Sequence, residues 1–140
     1  MCVLKVYSDT DSFTSFKQTT KIPVYSIREK SSGLGDEKSR VKDDFKISFD
    51  VSEKNWDDLA GQIDDTITFL TKHFDELDTL FKTHNISTAF LDFPIYSRLN
   101  EDIVNQNDHL PKELIALAGK LSLGIEMAIY ARDAFDNIAE

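Results

Sequence analysis

Carboxylates are the residues of this 140-residue chain dense enough to suggest chemistry. Between Asn55 and Asn85 stand Asp57, Asp58, Asp64, Asp65, Asp75, Glu76 and Asp78, against only Lys72 and Lys82. Paired carboxylates act as general acid and base, or hold two metal ions, only where they converge in a water-excluded pocket. The apolar residues of the same stretch compete for the interior. Read as a helix at ~100° per residue, Trp56, Leu59, Ile63, Ile67, Leu70, Phe74, Leu77 and Phe81 share a sector only ~80° wide. The acids lie off that stripe, which predicts a solvated face able to dock a basic partner, with Asp57, Asp58, Asp64, Asp65, Asp75 and Glu76 as its contacts.

Histidine and cysteine chemistry has less support. His73 and Glu76 are three apart and can share a helix face, but no third and fourth ligand follow at diagnostic spacing. His84 is expected near the helix end, where a cation meets the last carbonyls favourably, and His109 in a loop before Pro111. Cys2 is the only cysteine, so an internal disulfide and a cysteine-based metal cage are both excluded. Gly33-Leu34-Gly35 lacks the third glycine of a dinucleotide fingerprint, and no serine stands in a glycine-flanked elbow. The expectation is no catalytic residue, no cofactor and no metal.

Composition narrows the class of partner. Sixteen basic and twenty-five acidic residues leave a net charge of −9, which repels phosphate backbones and anionic lipid. The basic cluster Lys38, Arg40, Lys42 is interrupted by Asp36, Glu37, Asp43 and Asp44, so neither nucleic acid nor membrane is an expected partner. With a lone cysteine, no signal-peptide pattern and no apolar run near the ~20 residues that span a bilayer, a cytoplasmic protein is expected. Ten Phe among 41% hydrophobic residues suit one packed domain over 1–140, with 131–140 as a tail, helical or frayed.

The elements that must position these residues alternate. Residues 2–7 read as a strand well inside a sheet. Phe13 and Phe16 lie on one side of a short helix ending near Thr20. Ile22 to Ile27 carries Pro23, which confines it to an edge or a strand start, and Ser31 to Arg40 reads as a loop. Phe45, Ile47, Phe49 and Val51 alternate with Lys46, Ser48 and Asp50 as a strand with one wet face. The helix of residues 55–85 follows, capped by Asn55; at ~1.5 Å per residue it would run ~45 Å, longer than a domain of this size is wide, so a bend is expected near Thr71 to His73. Phe69 and Leu80, off the main stripe, are candidates to pack a tail or a partner.

Ile86 to Tyr96 returns as a strand whose Pro94 marks its edge or end, and Ser97 to Asp108 is a loop with a short edge strand at Ile103 and Val104. Pro111 opens a further helix that Gly124 ends, and Ile125 to Tyr130 is a last strand. The order β, α, β, β, long α, β, α, β predicts an α+β domain. In it a mainly antiparallel sheet of about four to five strands carries a long helix and two shorter ones on one face. Its first six elements match a ferredoxin-like unit.

The long helix, strand, loop, then Leu110-Pro111-Lys112-Glu113-Leu114-Ile115-Ala116-Leu117-Ala118 and Leu123-Gly124-Ile125-Glu126-Met127-Ala128-Ile129-Tyr130, resemble the bacterial domain-of-unknown-function family numbered 4279. The resemblance covers Trp56 to Tyr130, and its motifs are a helix start, a glycine stop and a buried strand. It implies a fold and no catalytic residues.

Two functions are therefore expected to compete. One is a non-catalytic, inhibitor or immunity-type protein that binds a basic protein through the acidic helix. The other is a small-molecule-binding or enzymatic domain whose site forms between the sheet and the 97–108 loop from Asp92, Tyr96, Asp108 and His109. A homodimer through a self-pairing edge at Ile22 or Ile103 is a further expectation.

Overall fold

The computed structural model describes residues 1–30 and 44–135. The Ser31 to Arg40 loop, the basic cluster at 38–42 and residues 136–140 lie outside the described residues. Among the described residues nine elements follow one another: β1 (Cys2–Ser8), α1 (Thr14–Thr19), β2 (Val24–Arg28), β3 (Phe45–Ser52), α2 (Leu59–Lys72), α3 (Phe74–Thr83), β4 (Thr88–Tyr96), α4 (Lys112–Lys120) and β5 (Gly124–Tyr130). The strands form one sheet in the order β2-β3-β1-β4-β5. The first four pair antiparallel and β5 runs parallel to β4. The domain is thus α+β, with a ferredoxin-like half extended by a β4-α4-β5 crossover.

Burial alternates along β1, so the central strand has one dry face. Cys2, Leu4 and Val6 stand beside Ile47 and Phe49 of β3 and Leu91 and Phe93 of β4, and all are buried. Onto this face pack Phe13 and Phe16 at α1, the inner sides of α2 and α3, and Leu114 and Ala118 of α4. The other face carries Lys5, Tyr7, Lys46, Phe90 and Asp92, half-buried, with Lys5 bound to Asp92 at 2.8 Å. Burial pulls the Lys5 ammonium down, and the Asp92 hydrogen bond and charge outweigh it, so its pKa is raised.

The expected single helix over 55–85 is two. His73 adopts φ −107° and ψ 15°, which breaks the helix within the expected bend. The helix also starts later than expected. Asp58, not Asn55, caps α2 by accepting from Gly61 N–H at 2.8 Å. Gly61 permits that cap, because a Cβ there would lie 2.4 Å from the Asp58 carboxylate. The buried side is Gln62, Ile63, Thr66, Phe69, Leu70, Leu77 and Leu80, whereas Leu59, Ile67, Phe74 and Phe81 of the predicted stripe are half-buried. On the helical wheel this turns the buried sector by ~60° from the apolar stripe, which brings Phe69 and Leu80 into the core instead of onto a partner surface. The buried side chain of Gln62 accompanies the turn. β4 outruns β1, whose pairing stops at Val3 opposite Asp92, and so leaves the Pro94 carbonyl and the Tyr96 N–H without ladder partners. Gln62 Nε2 donates to the Pro94 and Asn55 carbonyls at 3.0 and 3.1 Å, and Tyr96 N–H donates to the Trp56 carbonyl at 3.2 Å. Pro94 thus sits in an interior strand, at the stretch where its missing N–H costs no bond to β1.

Three other expectations are corrected. Ile103 and Val104 form no strand and are exposed, and Ile22 is buried ahead of β2, which begins at Val24. Pro111 is the cap of α4 rather than a residue of its first turn. Gly124 does not end α4. The helix closes on Ser122, at φ 56°, with Leu123 N–H donating to the Ala118 carbonyl at 2.8 Å, and Gly124 opens β5 beside Phe90.

Candidate functional site

β2 begins at Val24, opposite Phe49, so Asp50, Val51 and Ser52 of β3 continue past it along an uncovered rim. Pro23 explains the early end, since it lacks an N–H for the ladder. The flank of α2 and the α2–α3 junction face this rim. Between them lie two adjoining depressions that share Pro23 and Asp50. One, of ≈ 580 Å³, is lined by Ser52, Glu53, Lys54 and Asp65, and the other, of ≈ 590 Å³, by Lys21, Phe69, Lys72, His73 and Glu76.

The helix break aims His73 into this cleft, its ring edge-on to Phe69 at 4.9 Å between centroids. Burial first, then the neighbouring Lys72 charge, lowers the His73 pKa from its ordinary 6.5 against the opposing pull of Glu76, so the imidazole is neutral at pH 7. Glu76 accepts from Lys21 N–H at 3.2 Å and faces the Thr20 hydroxyl at 3.4 Å, tying α3 to the approach of β2. Asp65 accepts from the Ser52 hydroxyl at 2.6 Å and ties α2 to the end of β3. Asp50 Oδ1 is buried with no hydrogen-bond partner among the described residues. The cleft thus gathers hydrogen-bonding and charged groups of both signs. The Cys2 thiol is elsewhere, buried against Thr66, and burial pushes its pKa up to about 12 despite that hydrogen bond.

The six acids expected to form one docking face divide into two sets. Asp58, Asp65 and Glu76 border the buried sector and hold the cap, β3 and β2 respectively. Asp57, ahead of the α2 cap, Asp64 on α2 and Asp75 on α3 are exposed. Asp57 pairs with Arg132 at 2.5 Å, with both side chains more than half exposed, a geometry that adds little stability. Asp64 and Asp75 have no hydrogen-bond or ion-pair partner among the described residues.

The residues expected to meet at the 97–108 loop are distributed. Asp92 is held by Lys5 on the open sheet face, and Tyr96 packs on Trp56 at 5.1 Å. Asp108 accepts from Gln106 at 2.8 Å and pairs with Arg98 at 2.7 Å; burial raises its pKa, but these two partners lower it further. His109 and Asp108 line a ≈ 300 Å³ groove with Asp64 and Leu59, and neither Asp92 nor Tyr96 enters it. His84 caps α3 through its backbone and stacks on Phe13 at 5.5 Å. Among the described residues no three His, Cys, Asp or Glu side chains gather as a metal cage, and no helix is long and apolar enough to cross a membrane.

Sequence reasoning missed Gln62, Thr66 and Asp50. The i, i+4 pair of polar residues inside an apolar helix was the available signal for the first two, and Thr66 does donate back to the Gln62 carbonyl at 2.7 Å. Asp50 had no signal, because its exposure depends on where β2 stops. Comparison of the chain with protein-family models, curated proteins and solved structures finds no match. The resemblance of residues 56–130 to family 4279 therefore rests on its motifs alone.

Proposed function

We propose that this chain is a non-catalytic protein-binding domain of the inhibitor or immunity type, which docks a basic partner on the outer carboxylates of α2 and α3. One observation carries the reading. Asp64 of α2 and Asp75 of α3 are exposed and have no internal partner among the described residues, in a chain of net charge −9. Such charges are fully available to a cation and steer its approach at low salt. Asp58, Asp65 and Glu76 support the surface from behind, since their hydrogen bonds fix the helices rather than face a partner.

A pull-down from the native lysate with wild type and the Asp64→Asn, Asp75→Asn double variant tests this. The expected result is a basic protein held at low salt, released at high salt and retained at least several-fold less by the variant. No partner at low salt, or retention indifferent to salt, would sink the proposal.

The cleft at Asp50 favours a second reading, a small polar ligand held between Lys21, Lys72, His73 and the unpartnered Asp50 oxygen. A thermal-shift screen against metabolites and divalent metals separates the two: a ligand whose stabilisation is lost in Asp50→Asn supports the cleft, and flat melting curves leave only the docking surface.

A further inference from the structure

We propose that β5 is a homodimerisation edge, on which a second copy of this chain lays its own β5 antiparallel about a twofold axis at Met127. Ser97 N–H donates to the Tyr130 carbonyl at 2.7 Å, and β4 and β5 pair in parallel with Tyr96 beside Tyr130. In a parallel ladder that bond fixes the direction of every backbone group on β5. Residues 124, 126, 128 and 130 point toward β4, and the N–H and C=O groups of Ile125, Met127 and Ile129 point outward. Among the described residues nothing pairs with these outward groups.

Apart from the charge of Glu126, the strand carries little of the usual protection of an edge among the described residues. It is seven residues long, without proline, lysine or bulge, and Ile129 is 57% exposed. Its sequence is self-complementary in one register. With the axis at Met127, Ile125 faces the second copy's Ile129, Met127 faces Met127, and all the outward groups of the three residues pair reciprocally. Shifting the axis to Glu126 or Ala128 leaves some of them unmet. The same register sets Glu126, the one charge on β5, opposite Ala128, so no like charges meet across the interface. An unrelated strand has no such constraint in its favour, and the sequence on the edge fits itself.

Each copy carries −9, so the copies repel at long range, and screening makes the dimer tighten as salt rises. That is opposite to the salt dependence expected of a basic partner on α2 and α3. Sedimentation of the full chain at low and high salt, with Met127→Pro, Ile129→Lys and Tyr25→Lys, tests the proposal. Met127→Pro removes one outward N–H and leaves the β4 ladder intact, and Ile129→Lys places a charge on the exposed edge. The expected result is a dimer mass for wild type, favoured by salt and retained by Tyr25→Lys on the opposite edge, with half that mass for both β5 variants. Should Met127→Pro misfold by circular dichroism, Ile129→Lys decides alone. A wild-type monomer at all concentrations and salts, an Ile129→Lys variant that stays dimeric, or a dimer broken by Tyr25→Lys would each overturn it.

Discussion

β2 and β5 both close the sheet, and they handle an exposed edge in different ways. β2 is five residues long, follows Pro23, shifts register between Val24 and Ser26, and ends on Arg28, whose guanidinium binds the buried Asp44 carboxylate. Each of these features discourages pairing. β5 is longer, regular and apolar at its rim, and its parallel ladder turns three residues outward. The short strand leaves a polar cleft beside it where β3 runs on past it, whereas the long strand leaves a continuous row of backbone donors and acceptors. A shortened edge thus offers a site for side chains, and an unshortened one offers a site for another strand.

The comparison breaks most visibly in the core behind each edge. Phe93 of β4 is fully buried beneath the β5 side, and Phe93→Ala is expected to cost about 3 to 5 kcal/mol in urea unfolding. Ile27 of β2 is only half-buried, and Ile27→Ala should cost roughly 1 to 2 kcal/mol. Equal losses would mean that the two sides share the core evenly.

The backbone directions on β5 give a sharper test. Glu126 N–H faces β4, so Glu126→Pro breaks a ladder bond and strands a β4 carbonyl, whereas Met127→Pro removes an N–H that faces outward. Glu126→Pro should therefore be less stable than Met127→Pro by ~2 kcal/mol in monomeric conditions. The reverse order would show that the ladder is shifted by one residue, and with it the dimer register.

The smallest effect belongs to the cleft beside β2. The folded-state pKa of His73 is lowered from 6.5, so the unfolded chain takes up the proton more readily. The contribution of His73 is present above pH 6.5 and is lost as pH falls through the lowered folded value. Urea midpoints measured above and below pH 6.5 should fall with acid in wild type, and the fall should shrink in His73→Leu. A loss of equal size in the variant would place the titrating group elsewhere.

Periodicity by itself determined the strands β1, β3, β4 and β5, because alternation of side chains is a local property of the chain; Pro23 set the edge position of β2 and helix length the bend near His73, and together they gave the α+β class. The sequence also exposed the acidic excess of residues 55–85. Only the tertiary structure decided which of those acids work internally, because Asp65 and Glu76 find Ser52, Thr20 and Lys21 across the fold. The same holds for the rotation of the buried helix face. Gln62 is drawn inward by the Pro94 carbonyl that β1 leaves unmet and by the Asn55 carbonyl, and the buried face turns with it. Strand ends decide such matters: where β1 and β2 stop determines which backbone groups need a partner. A backbone group's need for a hydrogen bond depends on its neighbour in space, which no pattern along the chain encodes.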